Sequence, residues 1–285
     1  MTAEPTGPDF AAPGFAACYR HPDRQTGIAC QRCNRPICGE CMNPASVGFQ
    51  CPRCVGAGRA GVREPRTRFG ARAAVAGGGV ATKALMVALV VVYVTNLVTR
   101  SMFVVPALIM WIPLVAEGQL WRLVTSGLVS GGLLGLAMNL LVLWQAGRAI
   151  ESEVGPARFL AIYFASALGG STLFYLLGPV DGATLGAAPA VVGLLAANAI
   201  GKRKSGEDVR GDVGLFAVLV LYSLVVGFSS RGWLTMIGGI LVGALAGAVL
   251  AYAPRANRAA AQVVGLLAVV VVCVVAVALP TFLSL

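Results

Sequence analysis

The chain has 285 residues, 57% of them hydrophobic and only 12% charged, with a mean hydropathy of +0.79. That balance excludes a water-soluble enzyme of ordinary composition and puts the protein in a bilayer. The 22 Lys and Arg against 12 Asp and Glu give a net charge of +10, which reads first as membrane topology and not as nucleic-acid binding, because basic residues flanking spans mark the cytoplasmic side.

The first 55 residues hold almost none of the apolar runs but seven of the eight cysteines. They fall in four ligand pairs, each with two residues between partners: Cys18 with His21, Cys30 with Cys33, Cys38 with Cys41, and Cys51 with Cys54. Such a spacing aims both side chains of a tight turn at one ion, so each pair supplies half of a tetrahedron, and eight donors suit two structural zinc ions. The expected wiring is interleaved, with the first and third pairs on one ion and the second and fourth on the other, although spacing alone leaves other pairings open. A disulfide framework is the alternative. The single histidine in register and an N-terminus without an apolar signal sequence favour metal in a reducing compartment. Every ligand position is filled by protein, which suits a closed structural site. The pattern resembles a B-box or related cross-braced zinc domain, and that resemblance implies a protein-binding module, here a cytoplasmic partner.

Residues 56–83 read as a flexible basic linker, with Arg59, Arg63, Arg66, Arg68, Arg72 and Lys83 against the one acid Glu64. Such a tether obeys the positive-inside rule and attracts anionic headgroups. Nucleic acid is not expected, since Phe69 is the only aromatic interleaved with the charges.

Residues 84–285 form the expected membrane domain. Apolar runs long enough, or nearly so, to cross a bilayer begin near Ala84, Gly131, Phe159, Ala187, Val213, Leu234 and Ala261. Lys and Arg concentrate in the linker, at Arg148 and Arg158, between Lys202 and Arg210, and at Arg255 and Arg258, against Arg100, Arg122 and Arg231 in the alternate loops. The bias predicts a cytoplasmic head and an outside C-terminus in the cell's inner membrane. No Asp, Glu, Lys or Arg lies deep in a span as drawn, which weakens a transporter or channel reading. Gly239, Gly243 and Gly247 place a glycine stripe on one face of the sixth run, suited to close helix approach.

Several segments together resemble the rhomboid family of intramembrane serine proteases: Trp121-Arg122 after the first span, Asn139 through Trp144 with Gly147-Arg148-Ala149-Ile150-Glu151 at the second, Gly169-Gly170-Ser171 at the third, Gly186 to Leu194 at the fourth, and Gly238 to Gly247 at the sixth. The resemblance covers roughly 120–255. It implies an all-α polytopic fold with a six-helix rhomboid-like core, to which this chain adds a seventh, C-terminal helix and the small N-terminal zinc-binding domain. It also implies a serine at the start of the fourth span, activated by a histidine on the sixth. Carried across by position, the serine falls on Ala188 and the following glycine on Pro189. The histidine falls on Met236, and a further histidine associated with the oxyanion falls on Gly135, while the neighbouring asparagine is kept as Asn139. The chain's one histidine is His21, so no shift of register supplies a base in the membrane. The expectation is a pseudoprotease that binds transmembrane clients in the bilayer. The competing expectation is an active intramembrane serine endopeptidase, with Ser130, Ser171 or Thr184 as substitute hydroxyls.

Overall fold

The computed structural model describes residues 15–60, 67, 69, 78–99, 104–227, 231–254 and 257–283. Two compact units divide at Glu64 and Pro65.

The first unit has two short antiparallel ladders. Strands β1 (Ala16–Ala17) and β2 (Gln25–Thr26) pair, as do β3 (Asn43–Pro44) and β4 (Phe49–Gln50), and helix α1 (Pro52–Ala60) follows. Its interior is Cys18, Cys30, Cys38, Cys41 and Cys51 around one fully buried aliphatic side chain, Ile37. So little apolar surface cannot offset the entropy of ordering the chain, and a unit of this kind needs a staple.

The second unit is helical. It comprises α2 (Val80–Val98), α3 (Val104–Leu108), strand β5 (Met110–Trp111), α4 (Ile112–Ala116), α5 (Arg122–Thr125), α6 (Gly132–Val154), α7 (Pro156–Leu177), strand β6 (Ala183–Thr184), α8 (Ala187–Ser205), α9 (Arg210–Gly227), α10 (Trp233–Tyr252) and α11 (Arg258–Leu283). Strands β5 and β6 pair antiparallel. The seven long helices begin within a few residues of the seven apolar runs. Among the described residues, five of them, α2, α6, α7, α10 and α11, are long and apolar enough to cross a membrane. Helix α8 falls outside that set because Lys202, Arg203 and Lys204 occupy its last turn. Its apolar stretch of about 15 residues spans roughly 22 Å against a hydrocarbon core of about 30 Å. It is walled in by its neighbours: Val191, Val192, Leu194 and Leu195 are all buried.

The centre of this unit is a three-helix contact in which backbones touch. A Cβ added to Gly239 would stand 2.4 Å from the Pro189 carbonyl oxygen, one on Gly243 2.2 Å from that of Gly193, and one on Gly247 2.6 Å from the Ala197 Cα. Positions 239, 243 and 247 therefore meet 189, 193 and 197 in order, so α10 and α8 run parallel with matched four-residue ridges. Helix α7 packs across both: Gly169 meets Val242, and Gly170 lies between Thr235 and Pro189.

The segment 56–83 differs from a free tether. Its start continues α1, its end opens α2, and Phe69 is 3% exposed, packed on Gly201 with its carbonyl accepting from Gln262 Nε2 at 3.3 Å. The ring of Phe69 is the largest apolar group in that segment and so gains most from burial. Of the expected linker cations, Arg63, Arg66, Arg68 and Arg72 lie outside the described residues.

Glu151 also differs from its expected place beyond the span. It lies on the continuous helix α6, whose second half passes through a π-helical turn at Leu143–Gly147, and it is 1% exposed. Its carboxylate accepts from Ala81 N at 3.0 Å, Thr82 N at 2.8 Å and Thr82 Oγ1 at 2.7 Å, capping the N-terminus of α2 from another helix. Gly155, with φ +88°, then turns the chain before Pro156 opens α7. Glu151→Gln keeps the shape but loses the charge-assisted bonds, and it is expected to lower stability by about 2–3 kcal/mol. Thermal unfolding in detergent micelles, with the exposed Glu117→Gln as control, measures this.

Candidate functional site

The start of α8 is where the resemblance puts a nucleophile. Gly186 donates its backbone N–H to the Ser126 carbonyl at 2.9 Å, and a Cβ there would meet Gly127 N and Ser126 Oγ at 2.8 Å. This pins the first turn of α8 to the segment after α5. Ala187 and Pro189 are buried and Ala188 half-buried. Met236, on α10 beside Thr235, is 6% exposed and belongs to the same apolar cluster as Ala188. Gly135 and Asn139 lie one turn apart on the buried face of α6. Asn139 donates through Nδ2 to Ser130 Oγ at 3.3 Å, and its Oδ1 has no protein partner among the described residues.

Ser126, Ser171 and Tyr163 at this end bond each other or the backbone. Ser126 Oγ lies 3.1 Å from Ser171 Oγ and donates to the Leu123 carbonyl, and buried Tyr163 donates to Gly127 O at 2.7 Å. Lys202 and Lys204 sit at the far end of α8, roughly 20 Å along the helix from Ala188. There Lys202 pairs with Asp212 at 2.8 Å and Lys204 bonds the Ala251 carbonyl at 2.5 Å. Among the described residues, none of these hydroxyls bonds a His, Lys, Asp or Glu side chain.

Near the same end, Arg122 is 7% exposed, where the sequence places a loop arginine. It opens α5 and donates to the carbonyls of Pro106 in α3 at 2.5 Å and of Ile109 at 3.1 Å, and to Gln119 Oε1 at 2.7 Å, tying α5 to the segment from α3 to β5. Trp121 and Trp111 remain 57% and 41% exposed. At the opposite end Arg148 packs its stem on Gly79.

Residues 117–253 match the family described as the rhomboid domain. That stretch is similar to the rhomboid domain over just under half of the chain. Similar proteins include Rhomboid protease GluP of Bacillus subtilis (strain 168), 35% identical over 142 residues, which are 48% of this chain and 27% of that protein. RHOMBOID-like protein 5 of Arabidopsis thaliana is 33% identical over 147 residues, 50% of this chain and 48% of that protein. Putative rhomboid protease YdcA of Bacillus subtilis (strain 168) is 36% identical over 80 residues, 28% and 40%. The chain thus spans between about a quarter and a half of the length of these relatives. The matched stretch takes in the helices from α5 to α10 and all four positions discussed above.

The first unit gathers two donor sets. Cys18, His21, Cys38 and Cys41 form one, and Cys30, Cys33, Cys51 and Cys54 the other, with the ligand atoms of each set within 4.8 Å of one another. His21 Nδ1 lies 3.3 Å from Cys38 Sγ and 3.4 Å from Cys41 Sγ, and Cys33 Sγ lies 3.7 Å from Cys51 Sγ. Thiolates about 2.3 Å from a tetrahedral ion stand about 3.8 Å apart, so the sets fit a metal of that size and geometry. Burial by itself raises the Cys18 and Cys30 thiols. The backbone N–H groups of Arg20, Cys38 and His21 around one, and of Cys51, Arg32 and Cys33 around the other, bring both down to about 6. Cys41 is pushed up to about 11, first by burial, and Cys54 to about 12, first by Cys51 and then Cys33. Three or four thiol groups this close stay protonated in part unless a cation joins them.

The sequence reading missed the acceptor role of Glu151, the burial of Phe69 and Arg122, and the Ser126–Ser171 pair. Only Phe69 carried a signal, as the lone aromatic of its segment.

Proposed function

We propose that the chain is a catalytically silent rhomboid protein of the cell membrane that holds transmembrane segments of client proteins and engages a cytoplasmic partner through a head built on two structural zinc ions. The observation that carries the reading is the lack of any imidazole outside the first unit, together with alanine and methionine at the positions the family gives to nucleophile and base. In a soluble serine protease, losing either group alone costs about a millionfold in turnover. Pro189 supports the same reading: in the first turn of α8 it withholds a backbone N–H where an oxyanion would need donors. The helix scaffold, by contrast, is kept. Zinc, when bound, would supply a fold-defining cross-link in the head, with the eight named ligands as its donors. The excess of Lys and Arg around 148–158, 202–210 and 258 supports a cytoplasmic head.

The relatives named as proteases favour the competing reading of an active endopeptidase. A fluorophosphonate probe on the full chain in membranes separates the two. The expected result is no labelling that depends on Ser126, Ser130 or Ser171, and no cleavage of a transmembrane model substrate. Labelling abolished by one serine-to-alanine change overturns the silent reading. Crosslinking in native membranes that captures no membrane-spanning protein counts against the client role.

A further inference from the structure

The two donor sets of the head differ in how far they are covered. In the first, Cys18, Cys38 and Cys41 are buried and His21 half-buried, whereas in the second Cys33 is exposed and Cys54 half-buried beside buried Cys30 and Cys51. Cys33 is the one exposed cysteine among the described residues. Its Sγ lies 3.7 Å from that of Cys51. The charges divide in the same way. Both acids of residues 15–60, Asp23 and Glu40, pair with Arg24, and Glu40 also lies within electrostatic range of His21 in the first set. In the second set each two-residue turn carries an arginine, Arg32 or Arg53, and the Arg32 guanidinium donates to the Cys54 carbonyl at 3.4 Å. An exposed sulfur among cations, with another sulfur at its side, is the setting in which a thiolate meets an oxidant first.

We propose that the second donor set is a peroxide-sensitive modification site, in which Cys33 is oxidised first and closes a disulfide with a cysteine of its own set, Cys51 being within reach. This rests on the reading of the head as a two-zinc unit. The Cys33 thiolate attacks hydrogen peroxide, its sulfur taking one oxygen to become a sulfenic acid while the O–O bond breaks and hydroxide leaves. The Cys51 thiolate then attacks that sulfur, the S–O bond breaks, and a second hydroxide leaves as the S–S bond forms. Two thiolates have given two electrons to one peroxide, and two protons from solvent complete two waters. With two of its four donors joined, the set no longer holds its ion, and α1, which begins beside Cys51 and carries Cys54, loses its anchor in the head. In a reducing compartment such a bond is transient and is broken again by a dithiol reductant, which suits a sensor and not a structural cross-link.

The test treats the full chain, purified with zinc in neutral detergent micelles, with hydrogen peroxide, follows metal release with a chromogenic chelator and maps the disulfides by mass spectrometry of peptides. About one ion per chain should leave about tenfold faster than the other, with Cys33 joined to a member of its own set, and dithiothreitol with added zinc should restore the starting state. Cys33→His keeps four donors but cannot form the bond. It should retain about two ions and slow the first release about tenfold, whereas Cys41→His in the buried set should leave the fast phase unchanged. Release of both ions at one rate, a first disulfide that leaves out Cys33, or equally fast release from Cys33→His would overturn the proposal. Should a histidine variant fail to load, the disulfide map and the two release rates of the unaltered chain decide alone. A chain that carries no zinc before peroxide is added would instead overturn the metal reading, and the order in which the cysteines oxidise would still decide this one.

Discussion

Gly243→Ala is expected to destabilise the membrane unit by about 3 kcal/mol or more, at the upper end of what overpacking costs. The added Cβ would stand 2.2, 2.5 and 2.6 Å from the O, Cα and C of Gly193. Those atoms belong to the α8 backbone, so no rotamer change relieves the clash and the two helices must part. Parting them exposes the parallel seam that also holds Pro189 and Ala197. Gly214→Ala on α9 is the matched control, because nothing lies within 4 Å of its added Cβ, and alanine there is expected to be neutral or slightly stabilising. Thermal unfolding and folded yield in detergent report both. Equal midpoints for the two variants would mean that the glycine stripe is not a packing seam.

The second large effect is metal removal. Purified full chain should carry about two zinc ions, and a strong chelator should unfold residues 15–60, seen as loss of amide protection there, with little change across the membrane unit. The magnitude follows from the core: with Ile37 as the one fully buried aliphatic side chain among the described residues of the head, there is little to replace metal binding worth about 10–16 kcal/mol in small zinc peptides. Cys30→Ser should lower the metal content to about one ion per chain. Full content in that variant would mean the two donor sets are not independent sites, and none in the unaltered protein would remove metal from the account of the head.

Much of this was legible in the residues themselves. The helix positions follow from runs of apolar side chains because a bilayer leaves a backbone no choice but to satisfy its own hydrogen bonds. The metal pairs follow from local turns, since two residues between ligands suffice to aim both donors. That the one histidine is His21 needed no structure, because it is a count. Glu151 was harder. Its sequence neighbourhood announces a helix exit, and nothing in it names Ala81 and Thr82, about seventy positions away, as the donors it would meet. Arg122 was likewise read as a loop residue, for its carbonyl partners at Pro106 and Ile109 belong to a segment without periodicity.

Composition, spacing and the four-residue glycine repeat thus determined the membrane setting, the eight candidate metal donors, the confinement of histidine to the first unit and the existence of a close-packing face on α10. Tertiary structure alone decided which helix that face meets, which way it runs, and which donor pairs share a cluster. The division has a physical reason. Patterns within a few residues are written by backbone geometry, which repeats, whereas partners across the fold are chosen by the shapes of whole helices, and no local repeat encodes them.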